Sequence, residues 1–154
     1  QDGCELEEVC PSVFYGCTSL KELTIPSSVN TIWVGALQGL SSLEELTISK
    51  IEYKDTYRNE TTIYYLFDEM GYNSIPSTLK EINLPYVTSI PNKAFINCSS
   101  ITKITLSEGL TTIGSQAFYN CTNLKEINFP STLESIGSEA FSKTNIDESL
   151  IPNV

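Results

Sequence analysis

One pattern, repeated in phase along the chain, constrains what this sequence can fold into more than any other feature. The run Leu124-Lys125-Glu126-Ile127-Asn128-Phe129-Pro130 is followed by Leu133, by Ile136-Gly137 and by Ala140-Phe141. Upstream stand Ile101, Ile104, Leu106, Leu110, Ile113-Gly114, Ala117-Phe118 and Cys121, in the same order and spacing. Two earlier copies read Leu79, Ile82, Leu84-Pro85, Val87, Ile90, Ala94-Phe95, Cys98 and Leu20, Leu23, Ile25-Pro26, Val29, Ile32, Ala36-Leu37, Leu40. Copies begin at Leu20, Leu43, Leu79, Ile101, Leu124 and Ile146, so successive starts lie 23, 36, 22, 23 and 22 residues apart. A unit this short cannot bury its own apolar side, and stacking such units builds a continuous core from one Leu, one Ile and one Phe column.

The chemistry of one unit can be read locally. Apolar residues alternate through Leu-x-x-Ile-x-Leu as they do on a short strand with one buried face. Pro ends that strand by removing a ladder donor. A second apolar pair, Val29 and Ile32 or Leu133 and Ile136, turns the chain back to the core. The glycine after it, Gly114 or Gly137, is expected to supply a turn conformation costly to other residues. Ala-Phe-x-x-Cys is apolar at the first, second and fifth positions, which predicts one helical turn pressed onto the core.

The pattern L-x-x-I-x-[IL]-P-x-x-[VL]-x-x-I-G-x-x-A-F-x-x-C resembles the BspA-like subclass of leucine-rich repeats, and it covers nearly the whole chain. The resemblance implies an α/β repeat solenoid over residues 1–154: a right-handed superhelix with short parallel strands and short helical or irregular turns. It further implies a secreted or surface-attached bacterial protein that adheres to host or matrix proteins, since that family occurs mainly on oral and gut bacteria and on some mucosal protozoa.

Three departures qualify the pattern. In the first unit Leu6 and Val9 lead almost directly to Val13-Phe14-Tyr15-Gly16-Cys17, as if the middle of a repeat were missing. Trp33 stands where other units have Gly or Pro. Between Ser49 and Thr78 the spacing widens into an insertion. Neither end reads as a polar cap, so a segment of a longer protein is expected.

Of the five cysteines, Cys17, Cys98 and Cys121 share the phase that Leu40 occupies elsewhere, which predicts buried free thiols acting as small hydrophobes. Cys4 and Cys10 fall off or loosely in phase, leaving a Cys4–Cys10 or Cys10–Cys17 disulfide open in an oxidising compartment. The chain has no histidine. That removes Ser-His-Asp and Cys-His catalysis and His-ligated zinc. No phosphate-cradling glycine loop occurs, and the carboxylates do not gather into a pocket motif. No enzyme activity, cofactor or metal is therefore expected. A net charge of −10 disfavours nucleic acid and anionic lipid as partners. No apolar run approaches the ~20 residues that span a bilayer. Three Asn-x-Ser/Thr sequons begin at Asn59, Asn97 and Asn120; the last two arise from the repeat itself.

Two surfaces compete as a protein-binding site. The first is the outward face of the stacked strands, with a column of Glu22, Glu45, Glu81, Lys103 and Glu126 beside one of Thr24, Thr47, Asn83, Thr105 and Asn128. The simpler reading of that face is a soluble sheet surface rich in β-favouring Thr. The second is the insertion, which holds Tyr53, Tyr57, Tyr64, Tyr65 and Tyr72, five of the eight tyrosines. Tyr64-Tyr65-Leu66-Phe67 is expected to seal the core where the regular coil is broken. The more polar Tyr53, Tyr57 and Arg58 are the better recognition residues, because Tyr offers contact area with a polar tip. A protein partner follows from either surface. The alternatives are a structural spacer carrying another domain, and carbohydrate binding through the aromatic insertion.

Overall fold

The computed structural model describes residues 7–50, 62–68 and 75–154. It is a parallel-strand solenoid. The long strands β2 (Glu22–Ile25), β4 (Glu45–Ile48), β5 (Glu81–Leu84), β7 (Lys103–Leu106) and β9 (Glu126–Ile127) form one five-stranded sheet in the order β2-β4-β5-β7-β9. Every neighbouring pair is parallel and in register, so that Leu23, Leu46, Ile82, Ile104 and Ile127 share one inward row. Two further short sheets, of two and of three strands, are built from two-residue strands. There β1 (Glu8–Val9) pairs β3 (Thr31–Ile32), and β6 (Ser89–Ile90) pairs β8 (Thr112–Ile113), which pairs β10 (Ser135–Ile136). We number the coils one to six by their Ala-Phe positions, from Val13-Phe14 to Ala140-Phe141.

The core runs between these ladders along the whole stack. Leu46, Leu79, Ile82, Ile101, Ile113 and Leu124 are fully enclosed. The rings of Phe95, Phe118 and Phe141 stack face to face, with centroids 5.2 Å apart at each step. That distance follows from the ~4.8 Å spacing of the strands to which the rings are geared. Phe129 closes the column edge-on against Phe141 at 5.5 Å.

The Ala-Phe-x-x-Cys segments are not helical turns, contrary to the sequence expectation. In coil four the amides of Ala94, Ile96 and Cys98 donate to the carbonyls three residues back. The alternate amides of Lys93, Phe95 and Asn97 donate instead to Ser115, Ala117 and Tyr119 of coil five. A helix would turn every amide inward along one chain, whereas this string of tight turns divides them between its own coil and the next. It requires the left-handed region twice per coil: at Lys93 (φ 60°) and Asn97 (φ 61°), at Gln116 and Asn120, and at Glu139 and Lys143. In coil two those places fall to Gly35 and Gly39.

Gly114 and Gly137 are not among the positive-φ residues, so the turn role expected of them is corrected. Their role is close approach. A Cβ on Gly114 would sit 2.7 Å from the Pro91 carbonyl carbon, and one on Gly137 would sit 2.7 Å from that of Gly114. Adjacent coils touch backbone to backbone at this corner.

From Glu8 onward the first unit keeps the repeat's spacing. Glu8 pairs Thr31 and Val9 pairs Ile32, an offset of 23 residues, so no middle segment is missing. Val9 belongs to the short ladder, and Leu6 lies outside the described residues. Trp33 takes its corner position by donating Nε1–H to Glu8 Oε2 at 3.2 Å and its amide to Val9 O.

Candidate functional site

The outward residues of the five long strands make the surface on which the sequence reading placed a partner. Glu22, Glu45, Glu81, Lys103 and Glu126 align strand by strand, and Thr24, Thr47, Asn83 and Thr105 align beside them. Asn128 does not extend that row. The strand ends at Ile127, and the Asn128 side chain turns back so that its Nδ2 donates to Leu106 O (2.8 Å) while its Oδ1 accepts from Leu106 N (2.7 Å). The amide thus stands in for one more strand residue at the sheet edge.

Like charges stacked at strand spacing repel, and the sheet relieves this row piecewise. Asn83 Nδ2 donates to Glu45 Oε1 at 2.6 Å and to Thr47 Oγ1 at 3.3 Å. Lys103 Nζ sits 3.0 Å from Glu81 Oε2, and Lys21 Nζ sits 2.8 Å from Glu44 Oε1. Both lysine pKa values are raised by these hydrogen bonds first and by the same carboxylates' charge second. Both pairs are solvent-exposed, which limits what they add to stability.

Where β2, β4 and β5 meet, the surface dips into an open depression of about 460 Å³ lined by Glu22, Glu44, Glu45, Thr78, Lys80 and Glu81. Three of the six belong to the Glu row. Glu44, Thr78 and Lys80 were not singled out in the sequence; they stand one to three places before the outward row, a position that a column-by-column reading would have reached. Lys80 Nζ is turned onto Ser77 O at 2.7 Å and Thr78 Oγ1 onto Leu43 O at 2.8 Å, and the other four lining residues are glutamates. Glu22 meets no partner among the described residues. Such a surface can attract positive groups and offer hydroxyl and amide hydrogen bonds.

The second candidate surface divides. Tyr53, Tyr57 and Arg58 lie outside the described residues, as does Tyr72. Tyr64, Leu66 and Phe67 are buried, within the short helix α1 (Tyr64–Phe67). Towards coil two, Leu66 takes the place of Ala117, since Leu37 N donates to Leu66 O as Phe95 N donates to Ala117 O; towards coil four it is Ile63 N that donates to Ala94 O. The expected sealing role of this stretch is what its burial shows. Against the regular coil, the excess length is seven residues between Ile48 and Leu66 and six between Phe67 and Leu79.

The cysteine column holds in part. Cys98 and Cys121 are buried, and Cys121 Sγ donates to Phe95 O at 2.9 Å. Burial, and then the neighbouring Cys121, push the Cys98 thiol well above its ordinary pKa, opposing thiolate chemistry. Cys17 departs from expectation: it is exposed, because its coil is the outermost of those described and no described coil stacks on its far side. Cys10 is likewise an exposed free thiol, and Cys4 lies outside the described residues. No three His, Cys, Asp or Glu converge as metal ligands among the described residues. Among them no helix is long and apolar enough to cross a membrane.

In-register parallel strands, one per short coil, with inward Leu and Ile and an outward polar row, define a leucine-rich-repeat protein. The profile of the "BspA type Leucine rich repeat region" matches six copies, over residues 4–84 and 72–154. The chain belongs to that family. Crystal structures of two bacterial leucine-rich repeat proteins are similar to it. One, from Bacteroides ovatus, is 24% identical over 90% of this chain with a TM-score of 0.54; the other, from Eubacterium ventriosum, is 27% identical over 91% with a TM-score of 0.59. The chain covers 38% and 34% of those proteins, little more than a third of their length. No curated protein matches it. The family is one of protein-interaction repeats, generally non-catalytic and typical of bacterial surface proteins.

Proposed function

We propose that this chain is a non-catalytic interaction module of a secreted or cell-surface bacterial protein, and that it adheres to a host or matrix protein through the outward face of its long strands. The observation that supports this reading most is the largely glutamate-lined depression across β2, β4 and β5, set on the outward side of a rigid, in-register sheet. A rigid scaffold holds such groups without an ordering cost on binding. Its charge favours a partner that presents Lys or Arg, and opposite fields speed encounter.

The test is binding of the purified chain to an array of mucosal extracellular proteins, with Glu22→Lys and Glu22→Lys/Glu45→Lys variants beside it. A hit that weakens at least tenfold in the double variant and fades with added salt supports the strand face. A hit indifferent to both sinks it. In a parallel arm, a hit abolished by Tyr53→Ala/Tyr57→Ala moves the site to the insertion.

A second reading, the structural spacer, is favoured by one observation. Glu45, Glu81, Asn83 and Asn128 spend their hydrogen bonds within the sheet, as a self-contained repeat surface would. Failure of the chain to bind any protein or glycan on the array supports that reading. Carbohydrate binding would appear as a glycan hit lost with the insertion tyrosines.

A further inference from the structure

The last place of the Ala-Phe-x-x-Cys string is Leu40 in coil two and Thr144 in coil six, but two successive coils carry cysteine there: Cys98 in coil four and Cys121 in coil five. Their strings are tied side by side, the amides of Lys93, Phe95 and Asn97 donating to the carbonyls of Ser115, Ala117 and Tyr119. Cys98 N and Cys121 N close the same turn in each coil, onto Phe95 O and Phe118 O, both at 3.2 Å. Backbones laddered in this way run ~4.8 Å apart, in keeping with the 5.2 Å between the Phe95 and Phe118 rings. A disulfide spans Cα atoms ~4.4–6.8 Å apart. Both side chains are buried in the common core. Their sulfurs sit on successive carbonyls of coil four, Cys121 Sγ 2.9 Å from Phe95 O and Cys98 Sγ 3.8 Å from Ile96 O. The two thiols are also hydrogen-bonded to each other.

We propose that Cys98 and Cys121 are a disulfide site, bridging coils four and five when the chain folds in the presence of an organic disulfide as oxidant. One cysteine thiolate attacks the oxidant's S–S bond and expels a thiol; the other attacks the resulting mixed disulfide and expels the second. Two protons and two electrons pass from the cysteine pair to the oxidant, one S–S bond forms, and the oxidant ends as two thiols. Bridging takes the Cys121 thiol hydrogen away from Phe95 O, but that carbonyl keeps the Cys98 amide as donor. In the finished fold both sulfurs are enclosed, and burial holds the Cys98 thiol above its ordinary pKa. Exchange in either direction then awaits opening of the junction, so the state set during folding is retained. The bridge closes a loop of one coil, which restricts the unfolded chain and stabilises the folded one. It clamps the turn side of a junction whose strand side is the β5–β7 ladder. An oxidising natural compartment rests on the secreted location proposed above; the chemistry of the pair does not.

Refolding of the whole chain tests this without any partner. The protein is unfolded in urea with a reductant, then refolded either in a buffer of glutathione and its disulfide or with the reductant kept. Free thiols are blocked with N-ethylmaleimide before digestion with trypsin. Cleavage after Lys93, Lys103 and Lys125 places Cys98 in residues 94–103 and Cys121 in residues 104–125, so the bridge appears as one linked pair of peptides that reductant splits. That pair is expected to dominate the oxidised monomer, both in the wild-type chain and in a Cys4→Ser/Cys10→Ser/Cys17→Ser variant. The bridged form should unfold at a urea midpoint higher than the reduced form by about 1 M or more. Adding Cys98→Ala to the triple variant should abolish the difference between the two buffers. Recovery of Cys98 and Cys121 as blocked free thiols from the oxidising buffer overturns the proposal, as does their pairing with Cys4, Cys10 or Cys17 instead. A linked pair whose fold is no more stable than the reduced one overturns it as well.

Discussion

At Gly137 a single hydrogen atom decides how closely two coils pack. A methyl group there would meet the Gly114 and Ser115 backbone, and backbone cannot rotate away as a side chain can. Gly137→Ala is therefore expected to destabilise the chain by about 1–3 kcal/mol, measured by urea unfolding. The sequence displayed this glycine but not its reason, because a close approach and a left-handed turn both select Gly. Conversely, left-handed turns at Lys93, Gln116 and Glu139 carried no sequence signal, since none of these residues advertises a positive φ. At the far end Asp147 accepts hydrogen bonds from the side chain and then the amide of Ser149, which hold its pKa below the ordinary carboxylate value. The sign follows: this contribution is fully present above the unfolded pKa and disappears as pH falls through the lower folded value. Amide exchange in the 3-10 turn Glu148–Leu150 is expected to quicken over that acid range, and an Asp147→Asn variant should lack this pH dependence.

At the scale of elements, the phenylalanine column and the sheet edge are the parts most open to test. Phe118 is stacked between Phe95 and Phe141 and fully enclosed. Phe118→Ala should cost about 3–5 kcal/mol, and Phe118→Leu, which resembles Leu37 of coil two, distinctly less; thermal melts of the two variants check the order. Asn128→Ala leaves both backbone groups of Leu106 without their amide partner, a cost of about 1–3 kcal/mol that urea unfolding would read. Amide exchange at Leu106 should rise with it. The long strands were legible in the sequence because burial alternates along them and their outward and inward rows recur at a fixed period. The short strands and turns were less so. Two-residue ladders are too brief for alternation to show, and Ala-Phe-x-x-Cys satisfies a helical turn and a string of tight turns equally well. The depression went unread for a related reason: Glu44 comes beside Thr78 and Lys80 only when the coils of β4 and β5 are stacked.

For the whole molecule, the balance of −10 sets the electrostatic setting of any encounter, and its sharpest local expression is the Glu row. Lys103 interrupts that row and neutralises Glu81. Lys103→Glu should leave the melting temperature nearly unchanged at high salt and lower it at low salt, since screening removes the added repulsion between exposed charges. Coil three differs from the others in length, yet β4 keeps its register with both β2 and β5, so the long-strand sheet tolerates surplus chain without losing phase.

The parallel register has a mechanical consequence. Because the hydrogen bonds between coils lie along the stacking axis, tension applied along that axis does not shear the ladders but peels them one junction at a time. A chain pulled from its two ends should lengthen in a staircase, each step releasing one coil of 22 or 23 residues, about 75–80 Å of contour at ~3.4 Å per residue. The 36-residue coil would give one longer step of about 120 Å. A molecule built this way yields under load by paying out length in small portions, holding its remaining coils folded while the rest of it stretches.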